Sequence, residues 1–332
     1  MTGDAAWRVG IVGLGRAVTG IAGSAERKIW SHPAAIVDHS GLDLVAVFDP
    51  DEAVARAFCQ AWGCVAVPDW LGLAAQSLDC LLIAAPTPRH AAYLRDAHEA
   101  GIPVVVCEKP LCDDRDAAHA TIRAYREAGS GLHVYYPRRW ISQLDALRRA
   151  IAEGEFGGLR SFSAYYGNGL RNIGCHAIEL ILRLLGPVAR VRAHPPAHDG
   201  DPSDPTPDLR LGLAGGGDGI LQAYRYGDYA LFELDMLFEK GRARVSDLGF
   251  RLETWRAAPS ARYPGFRELA PAPAETTDYG EAARRFWRYV RSESGRTTVD
   301  DWELNILDVV EAGLESLRVG REIDVGAGNQ RR

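Results

Sequence analysis

Lysine is scarce in this chain. Of its 38 lysine and arginine residues, three are lysines, at positions 28, 109 and 240. Because the sequence uses arginine almost wherever positive charge suffices, each lysine is a candidate for a role that needs a compact amine. Lys109 directly follows the apolar residues 104–107, which are typical of a buried strand. A plain surface lysine after a strand is the competing interpretation.

Other absences exclude whole classes of protein. No run of about 18 apolar residues is present, which argues against a membrane span. The first residues include Asp4 and no apolar core, which argues against a signal peptide. The six cysteines form no C-x-x-C pair or zinc pattern, and the net charge is −6. We therefore expect a cytoplasmic protein with reduced thiols, no metal site and neither a nucleic-acid nor a membrane partner.

A glycine-rich turn follows the first apolar stretch. Residues 7–12 predict a short strand that enters Gly-Leu-Gly at positions 13–15. A strand, a G-x-G turn and a helix start make up the dinucleotide fingerprint, in which helix N–H groups face the pyrophosphate. An ordinary tight turn is the alternative. The cofactor contacts predicted here are Gly13, Gly15, Arg16, Ala17 and Val18.

An acidic residue closes the second predicted strand. Residues 42–48 read LDLVAVF and are followed by Asp49. A carboxylate at this position accepts hydrogen bonds from the adenosine ribose and repels a 2′-phosphate. The cofactor favoured is therefore NAD(H), whereas Arg16 could face a phosphate and keeps NADP(H) open. The alternative role for Asp49 is to cap the helix after Pro50.

Strands and helices alternate over roughly the first 130 residues. Such repeated βα alternation predicts a doubly wound parallel sheet, hence an α/β fold. Ligands bind such sheets at the carboxyl ends of the strands, where Pro86, Thr87 and His90 follow one strand and Glu108 and Lys109 follow another. We expect all five to contact the cofactor. A helix cap for Thr87 and a surface position for His90 are the alternatives.

The pattern changes after residue 135. Residues 159–166 and several later stretches alternate polar and apolar positions, as in a sheet with one covered face. Two domains are predicted, 1–135 and 136–332, with the final helix free to pack back on the first domain. Residues 194–208 are too rich in proline for a helix or strand and should form an exposed, mobile loop.

The segment GNGLRNIGCH, residues 167–176, is the second candidate site. Its glycines permit a turn with close backbone approach. His176 stands at the start of an amphipathic helix, where it could act on a ligand or cap the helix.

The order of these motifs resembles the glucose-fructose oxidoreductase, inositol dehydrogenase and MocA (Gfo/Idh/MocA) family. The most telling feature is the E-K-P tripeptide, residues 108–110, at a strand end ahead of Y-x-R-R-W. The resemblance covers nearly the whole chain. It implies an N-terminal Rossmann domain, a C-terminal α+β domain with an open, mixed, mostly antiparallel sheet, and a homodimer or homotetramer formed through that sheet.

The resemblance also implies catalytic roles. In the family the lysine of E-K-P donates to the reacting oxygen, and a D-x-G-x-H motif supplies an aspartate and a histidine. These positions are Lys109, Asn172 and His176 here, so the carboxylate is replaced by an amide without formal charge. His176 should then accept a proton less readily, which shifts acid–base work to Lys109. The predicted substrate contacts are Arg139, Tyr166, Asn168, Arg171, Asn172 and His176.

The main hypothesis is an NAD(H)-dependent oxidoreductase acting on a secondary alcohol or ketone of a sugar, cyclitol or similar small polar molecule. A reductase for imines or amino-sugar precursors is one alternative, since an iminium already carries its proton. A cofactor-binding regulator without turnover is the other. Asn172 favours both alternatives, and the retention of Lys109 in a lysine-poor chain argues against the regulator.

Overall fold

The computed structural model describes residues 5–15, 18, 31–195, 201–293 and 301–326. The chain forms two compact units, each built from two separate segments. The first unit comprises Met1–Trp140 and Tyr279–Leu304, and the second comprises Ile141–Asp278 and Asn305–Arg332.

The strands are numbered along the chain. They are β1 Trp7–Val12, β2 Leu42–Phe48, β3 Val65–Ala66, β4 Cys80–Ile83, β5 Val104–Glu108, β6 Gly131–Tyr135, β7 Leu159–Tyr166, β8 Val188–His194, β9 Asp208–Leu213, β10 Asp218–Ala223, β11 Glu233–Phe238, β12 Gly241–Ser246, β13 Arg251–Pro259, β14 Arg267–Pro271, β15 Glu275–Thr276 and β16 Ile323–Asp324.

The helices are numbered in the same way. They are α1 His32–Val37, α2 Glu52–Trp62, α3 Trp70–Ala74, α4 His90–Glu99, α5 Arg115–Ala128, α6 Ser142–Ala152, α7 Cys175–Leu185, α8 Tyr279–Ser292 and α9 Asp301–Val319, with 3₁₀ turns at Thr87–Arg89, Pro137–Trp140 and Asp247–Gly249 and a π-helical turn at Gly169–Gly174.

The first unit contains a six-stranded sheet in the order β3-β2-β1-β4-β5-β6. Every pairing in this sheet is parallel, and the order is that of a doubly wound nucleotide-binding fold. All four residues of β4 are buried, as are the first four of β5. Burial on both faces explains their continuous apolar sequence. The predicted Rossmann fold is confirmed.

Local capping signals set the ends of two helices in this unit. Asp51 accepts hydrogen bonds from two N–H groups at the start of α2, and Gly63 ends that helix in the left-handed conformation. Asp114 accepts one such hydrogen bond at the start of α5, and Gly129 ends that helix in the left-handed conformation. These residues satisfy backbone groups that a helix leaves unpaired at its ends, so residues within the sequence itself mark both ends of each helix.

Helix α8 lies in the core of the first unit although it comes late in the chain. Its residues Phe286 and Trp287 are buried in one cluster with Val9 of β1 and Val106 of β5. The helix also packs against α1 and the 3₁₀ turn Pro137–Trp140. The core of this unit therefore depends on two distant stretches of the chain.

The second unit contains a mixed sheet in the order β14-β13-β12-β11-β7-β10-β9-β8-β16, and β15 also pairs with β13. The pairing of β7 with β10 is parallel, and the other pairings of the described strands are antiparallel. The predicted open, mostly antiparallel sheet is therefore confirmed. Strands β13 to β16 lie where the sequence analysis had assigned no strand.

The two faces of this sheet differ in chemistry. On β7, Phe162 and Ala164 are buried whereas Ser163 between them is exposed. The exposed face carries cross-strand pairs of arginine and carboxylate side chains, such as Arg242 with Asp235 and Arg244 with Glu233. Alternation of this kind is typical of a sheet with one covered face.

No helix in the described part of the chain combines the length and the apolar character that a membrane span requires.

Candidate active site

The glycine turn is held between the ends of β2 and β4. Gly13 has φ +83°, and its N–H donates to the Phe48 carbonyl at 2.9 Å. A Cβ atom on Gly13 would lie 2.5 Å from the backbone of Ala85, and one on Gly15 would lie 3.3 Å from the Ala84 carbonyl oxygen. Both positions therefore favour glycine.

The rest of the predicted glycine-loop contact set is only partly described. Val18 is buried and its N–H donates to the Gly15 carbonyl at 2.9 Å, so its side chain belongs to the core. Arg16 and Ala17 lie outside the described residues.

Asp49 connects the end of β2 to this turn. Its carboxylate accepts hydrogen bonds from the Leu14 N–H at 2.8 Å and from the Asp51 N–H at 2.9 Å. The capping residue of α2 is Asp51, so the alternative role of Asp49 as that cap is wrong. Each carboxylate oxygen can accept more than one hydrogen bond, and the side chain is partly exposed. It can therefore still accept from a ribose hydroxyl.

His90 is a structural residue, not a surface one. Its side chain is buried, and its ring nitrogens lie 2.8 Å from the Pro110 and Ala85 carbonyl oxygens. It therefore ties the loop after β4 to the loop after β5. A neutral ring can donate to one of these oxygens, and a protonated ring can donate to both. The alternative of a surface histidine is wrong, and any effect of His90 on a cofactor acts through these loops.

The neighbouring loop residues remain accessible. Pro86 is exposed, and Thr87 is partly exposed at the start of the 3₁₀ turn. Thr87 is therefore not the cap of α4, which begins at His90. Both residues keep their predicted place at the carboxyl end of β4.

A buried hydrogen-bond chain supports the E-K-P segment. Glu108 Oε1 lies 2.9 Å from His32 Nε2, and the Trp287 indole N–H donates to His32 Nδ1 at 3.0 Å. His32 and Trp287 are almost completely buried. The other Glu108 oxygen, Oε2, accepts from the backbone N–H of Lys109 at 3.3 Å. One carboxylate therefore joins β5 to helices α1 and α8. Sequence reasoning missed both partners.

The hydrogen bond from Trp287 fixes the tautomer of His32. An indole N–H can only donate, so Nδ1 of His32 must accept the hydrogen bond from Trp287. The ring proton then sits on Nε2 and points to the Glu108 carboxylate. This arrangement gives the indole N–H and both ring nitrogens of His32 a hydrogen-bond partner.

The surroundings of Glu108 favour its ionised form. Burial by itself raises the pKa of Glu108, but the hydrogen bond from His32 together with the charge and backbone N–H of Lys109 brings that pKa below its ordinary value. The side chain is 12% exposed. Lys109 is partly exposed and follows directly, joined to Pro110 by a cis peptide bond. The candidate catalytic lysine therefore directly follows a carboxylate whose ionised form is favoured by the charge of that lysine.

Two arginines of the 3₁₀ turn Pro137–Trp140 are engaged within the first unit. Arg139 lies 3.6 Å from the buried carboxylate of Glu303 and over the ring of Trp302. Arg138 is buried, with its guanidinium 5.7 Å from the centre of the Tyr279 ring. Arg139 was predicted to contact the substrate. To do so, its guanidinium must either break the ion pair with Glu303 or bind the substrate while that pair is kept.

In the second unit, residues 167–176 form a π-helical turn that runs into α7. Asn168 precedes the turn with φ +59°. Asn172 is exposed, and His176 is partly exposed in the first turn of α7. Arg171 forms an ion pair with Glu311 at 3.0 Å. Tyr166 is fully buried, and its hydroxyl donates to the Pro207 carbonyl at 2.6 Å. It therefore joins the end of β7 to the proline-rich stretch.

The proline-rich stretch is not simply a mobile loop. The Asp204 carboxylate accepts from the N–H groups of Arg171 and Asn172 at 2.8 and 3.0 Å. The Thr206 hydroxyl accepts from the Gly169 N–H at 2.9 Å, and Thr206 is buried. The expectation of an exposed loop is wrong for these residues, because backbone N–H groups of the π turn donate hydrogen bonds to their side chains. The stretch contributes site residues that sequence reasoning missed.

These elements enclose a pocket of about 460 Å³ within the second unit, a size suited to a small-molecule ligand. Two of the predicted substrate contacts, Asn168 and Asn172, line it. The complete lining is Asn168, Gly169, Asn172, Asp201, Asp204, Thr206, Tyr224, Arg225, Tyr226 and Gly227.

Comparison with known proteins identifies the first unit. The Gfo/Idh/MocA model, described as an oxidoreductase family with an NAD-binding Rossmann fold, matches residues 7–136. The match includes the glycine turn, Asp49 and the E-K-P segment. Residues 7–136 are therefore similar to the Gfo/Idh/MocA oxidoreductase family. The matched residues contain all six strands of the parallel sheet, and the family model describes this fold as NAD-binding.

Named relatives are dehydrogenases and reductases. The chain is 35% identical over 153 residues to inositol 2-dehydrogenase 4 of Saccharopolyspora erythraea, covering 45% of this chain and 42% of that protein. It is 28% identical over 186 residues to dTDP-3,4-didehydro-2,6-dideoxy-alpha-D-glucose 3-reductase of Streptomyces antibioticus, covering 51% of this chain and 56% of that protein. The matched segment thus spans about half of each relative.

Solved structures extend the likeness in fold to both units. The WlbA dehydrogenase of Bordetella pertussis, solved in complex with NADH and UDP-GlcNAcA, superposes with a TM-score of 0.77 at 21% identity. The superposition covers 98% of this chain and 99% of that one. At this identity the likeness shows the fold alone.

The Glu108 carboxylate should stabilise the folded protein in a pH-dependent way. Because its folded-state pKa is lowered, its contribution is complete above the ordinary value of about 4.3 and is lost as the pH falls through the folded-state value. We expect Glu108→Gln to lower the free energy of unfolding by about 1–3 kcal/mol at pH 7. We also expect a flatter dependence of that free energy on pH between about pH 5 and pH 3.

Urea unfolding at a series of pH values measures both effects. Glu99→Gln is the control, since Glu99 is an exposed carboxylate of the same unit, and it should follow the wild type. Coinciding pH curves for Glu108→Gln and wild type would show that the carboxylate adds nothing to folding.

Proposed function

We propose that this protein is an NAD(H)-dependent oxidoreductase that transfers a hydride between nicotinamide and a secondary alcohol or ketone of a sugar, cyclitol or similar small polar molecule. The observation that supports this most is Lys109. It follows β5 of an NAD-binding family domain, and its backbone is fixed by the ionised Glu108. The relatives named as inositol dehydrogenase and sugar reductase suggest the substrate class.

The protein's own contribution to this reaction is orientation and a proton. When bound, the nicotinamide supplies or accepts the hydride. Lys109 exchanges a proton with the substrate oxygen. The hydrogen bonds from Trp287 through His32 to Glu108 hold the backbone of Lys109 in place.

The second unit supplies the residues proposed to bind substrate. His176 donates to or accepts from a substrate hydroxyl, and Asn172 orients the substrate through its amide. Because Asn172 carries no charge, it does not stabilise a histidinium as a carboxylate would. Proton transfer is therefore assigned to Lys109 alone.

Removing the amine tests the proposal. We expect Lys109→Ala to reduce turnover of the best substrate in a polyol and keto-sugar panel by at least about 10²–10⁴-fold, since positioned acid–base catalysis contributes this much. NADH affinity, measured by fluorescence titration, should stay within a few fold of wild type.

Lys240→Ala is the matched control. Lys240 is an exposed lysine between β11 and β12 in the second unit, and its loss should leave turnover unchanged. Near-normal turnover by Lys109→Ala would show that Lys109 is not the residue that exchanges a proton with the substrate.

The cofactor preference is proposed to depend on Asp49. Its carboxylate repels a 2′-phosphate, so the wild type should bind NADH more tightly than NADPH. Asp49→Asn removes that charge and should narrow the ratio of the two dissociation constants by about tenfold or more. Asp51→Asn is the control, since asparagine also caps a helix well and leaves Asp49 in place. If the ratio of the NADPH and NADH dissociation constants is unchanged in Asp49→Asn, residues other than Asp49 determine the cofactor preference.

Reduction of a C=N bond is the second candidate, and Asn172 favours it. An iminium substrate already carries its proton, so it needs no acid supported by a carboxylate. NADH oxidation with a panel of ketones and cyclic imines separates the two reactions. A cofactor-binding regulator would instead bind NADH and turn over neither class.

We also propose that a second copy of this chain covers the exposed face of the sheet, giving a homodimer or homotetramer. That face carries paired charges and two exposed apolar side chains, Ile220 and Leu237. Leu237→Glu should lower the mass measured by light scattering at micromolar concentration. Leu71→Glu, at an exposed leucine of the first unit, should not. A monomeric wild type would contradict the assembly.

A further inference from the structure

The pocket of the second unit is built from three parts of the chain. They are the start of the π turn, the segment from Asp201 to Thr206, and the turn from Tyr224 to Gly227. Asn172 occupies a position of the D-x-G-x-H motif described above. The acidic and aromatic side chains that the other two parts bring to the pocket lie outside that motif.

The floor of this pocket is rigid. Asp204 is held by two backbone N–H groups of the π turn, and Leu170 N–H donates to the Pro205 carbonyl at 3.0 Å. Gly169 has φ +89°, and a Cβ atom there would lie 1.9 Å from Asp204 Oδ2. The carboxylate is therefore fixed in place before any ligand arrives, which lowers the entropy cost of binding.

The charge of the lining is negative. Asp201 and Asp204 face one cation among the described lining residues, Arg225, which lies 3.9 Å from Asp228. Hydrogen bonds from the Ser203 hydroxyl and backbone hold the pKa of Asp201 below its ordinary value. Burial, followed by the negative charges of Asp204 and Asp208, raises the pKa of the adjacent Tyr166.

The two arginines nearest the pocket already have acidic partners. Arg171, in the π turn, is paired with Glu311, and Arg225, in the lining, is paired with Asp228. A phosphate or carboxylate on a ligand in this pocket would meet the carboxylates of Asp201 and Asp204. Two like charges a few ångströms apart repel strongly even at a high effective dielectric constant.

The remaining lining suits hydroxyl groups and an apolar ring face. Asn168 and Asn172 offer both donors and acceptors, and the carboxylates offer acceptors. Tyr224 is fixed by a hydrogen bond with the Leu231 N–H at 2.7 Å and stacks on Tyr229 at 5.6 Å. Tyrosine faces also attract cations. The lining thus matches a ring bearing several hydroxyls, with or without an amino group.

We propose that this pocket recognises the hydroxyls of the substrate and selects uncharged or amine-bearing polyols, excluding carboxylated, phosphorylated and nucleotide-linked sugars. The inference rests on the proposed function, since it assigns the substrate class of that reaction. Asp204 and Asp201 are its specificity-determining residues.

A charge series on similar rings tests the selection. The probes are glucosamine, glucose, glucuronate, glucose 6-phosphate, myo-inositol and inositol 1-phosphate, titrated into the full chain with saturating NADH and followed by calorimetry. We expect each neutral or cationic probe that binds to exceed its anionic counterpart by at least about tenfold in affinity. Tighter binding of an anionic probe, or no binding by any of the six, overturns the inference.

Variants assign the effect to the pocket. Asp201→Asn and Asp204→Asn should raise the affinity for the anionic probes relative to the neutral ones by several fold. Asp201 is exposed, so its variant remains informative if loss of the Asp204 contacts loosens the fold. Glu153→Gln removes an exposed charge of the same unit outside the pocket and should leave the ratio unchanged. Equal ratios in all three variants and wild type overturn the assignment.

Turnover distinguishes this inference from the proposed function. Oxidation or reduction of anionic sugars in preference to neutral ones leaves the oxidoreductase standing and removes the selection. Selective binding of neutral polyols without hydride transfer to or from any of them would contradict the proposed oxidoreductase function. The pocket would then still be a binding site for neutral polyols.

Discussion

The carboxylate of Glu108 is the interaction on which the first unit depends. It joins His32, which lies 76 positions earlier, to the backbone of Lys109, and His32 is joined to Trp287, 255 positions away. A buried carboxylate is stable only when its hydrogen-bonding capacity is met. The position of the candidate catalytic lysine is therefore coupled to the packing of α1 and α8, far from it in the sequence.

The second unit uses a similar device. Asp204, from the proline-rich stretch, accepts hydrogen bonds from the backbone N–H groups of Arg171 and Asn172 in the π turn. In both units an acidic side chain from a distant segment immobilises the loop that presents candidate functional residues. Sites supported in this way are pre-organised, which reduces the cost of ordering them when a ligand binds.

Elements with strong local signals can be predicted from sequence, and others were missed. For the apolar strands β1, β2, β4 and β5 and the capped helices α2 and α5, a few neighbouring residues determine the secondary structure. Strand β13, with the sequence RLETWRAAP, alternates irregularly and owes its conformation to pairing with β12, β14 and β15. For His90 the sequence offered a cofactor contact or a surface position, because its actual partners, two backbone carbonyls, cannot be identified from sequence.

The sequence by itself determined the parallel βα order, the glycine turn and the place of Lys109 at a strand end. Each follows from hydrophobic periodicity, backbone conformational limits or the chemistry of a single residue type, all of which act locally. The tertiary structure decided which carboxylate faces which donor. It placed His32 on Glu108, Asp204 on the π turn and Glu311 on Arg171, because those pairings depend on long-range packing that brings distant segments together.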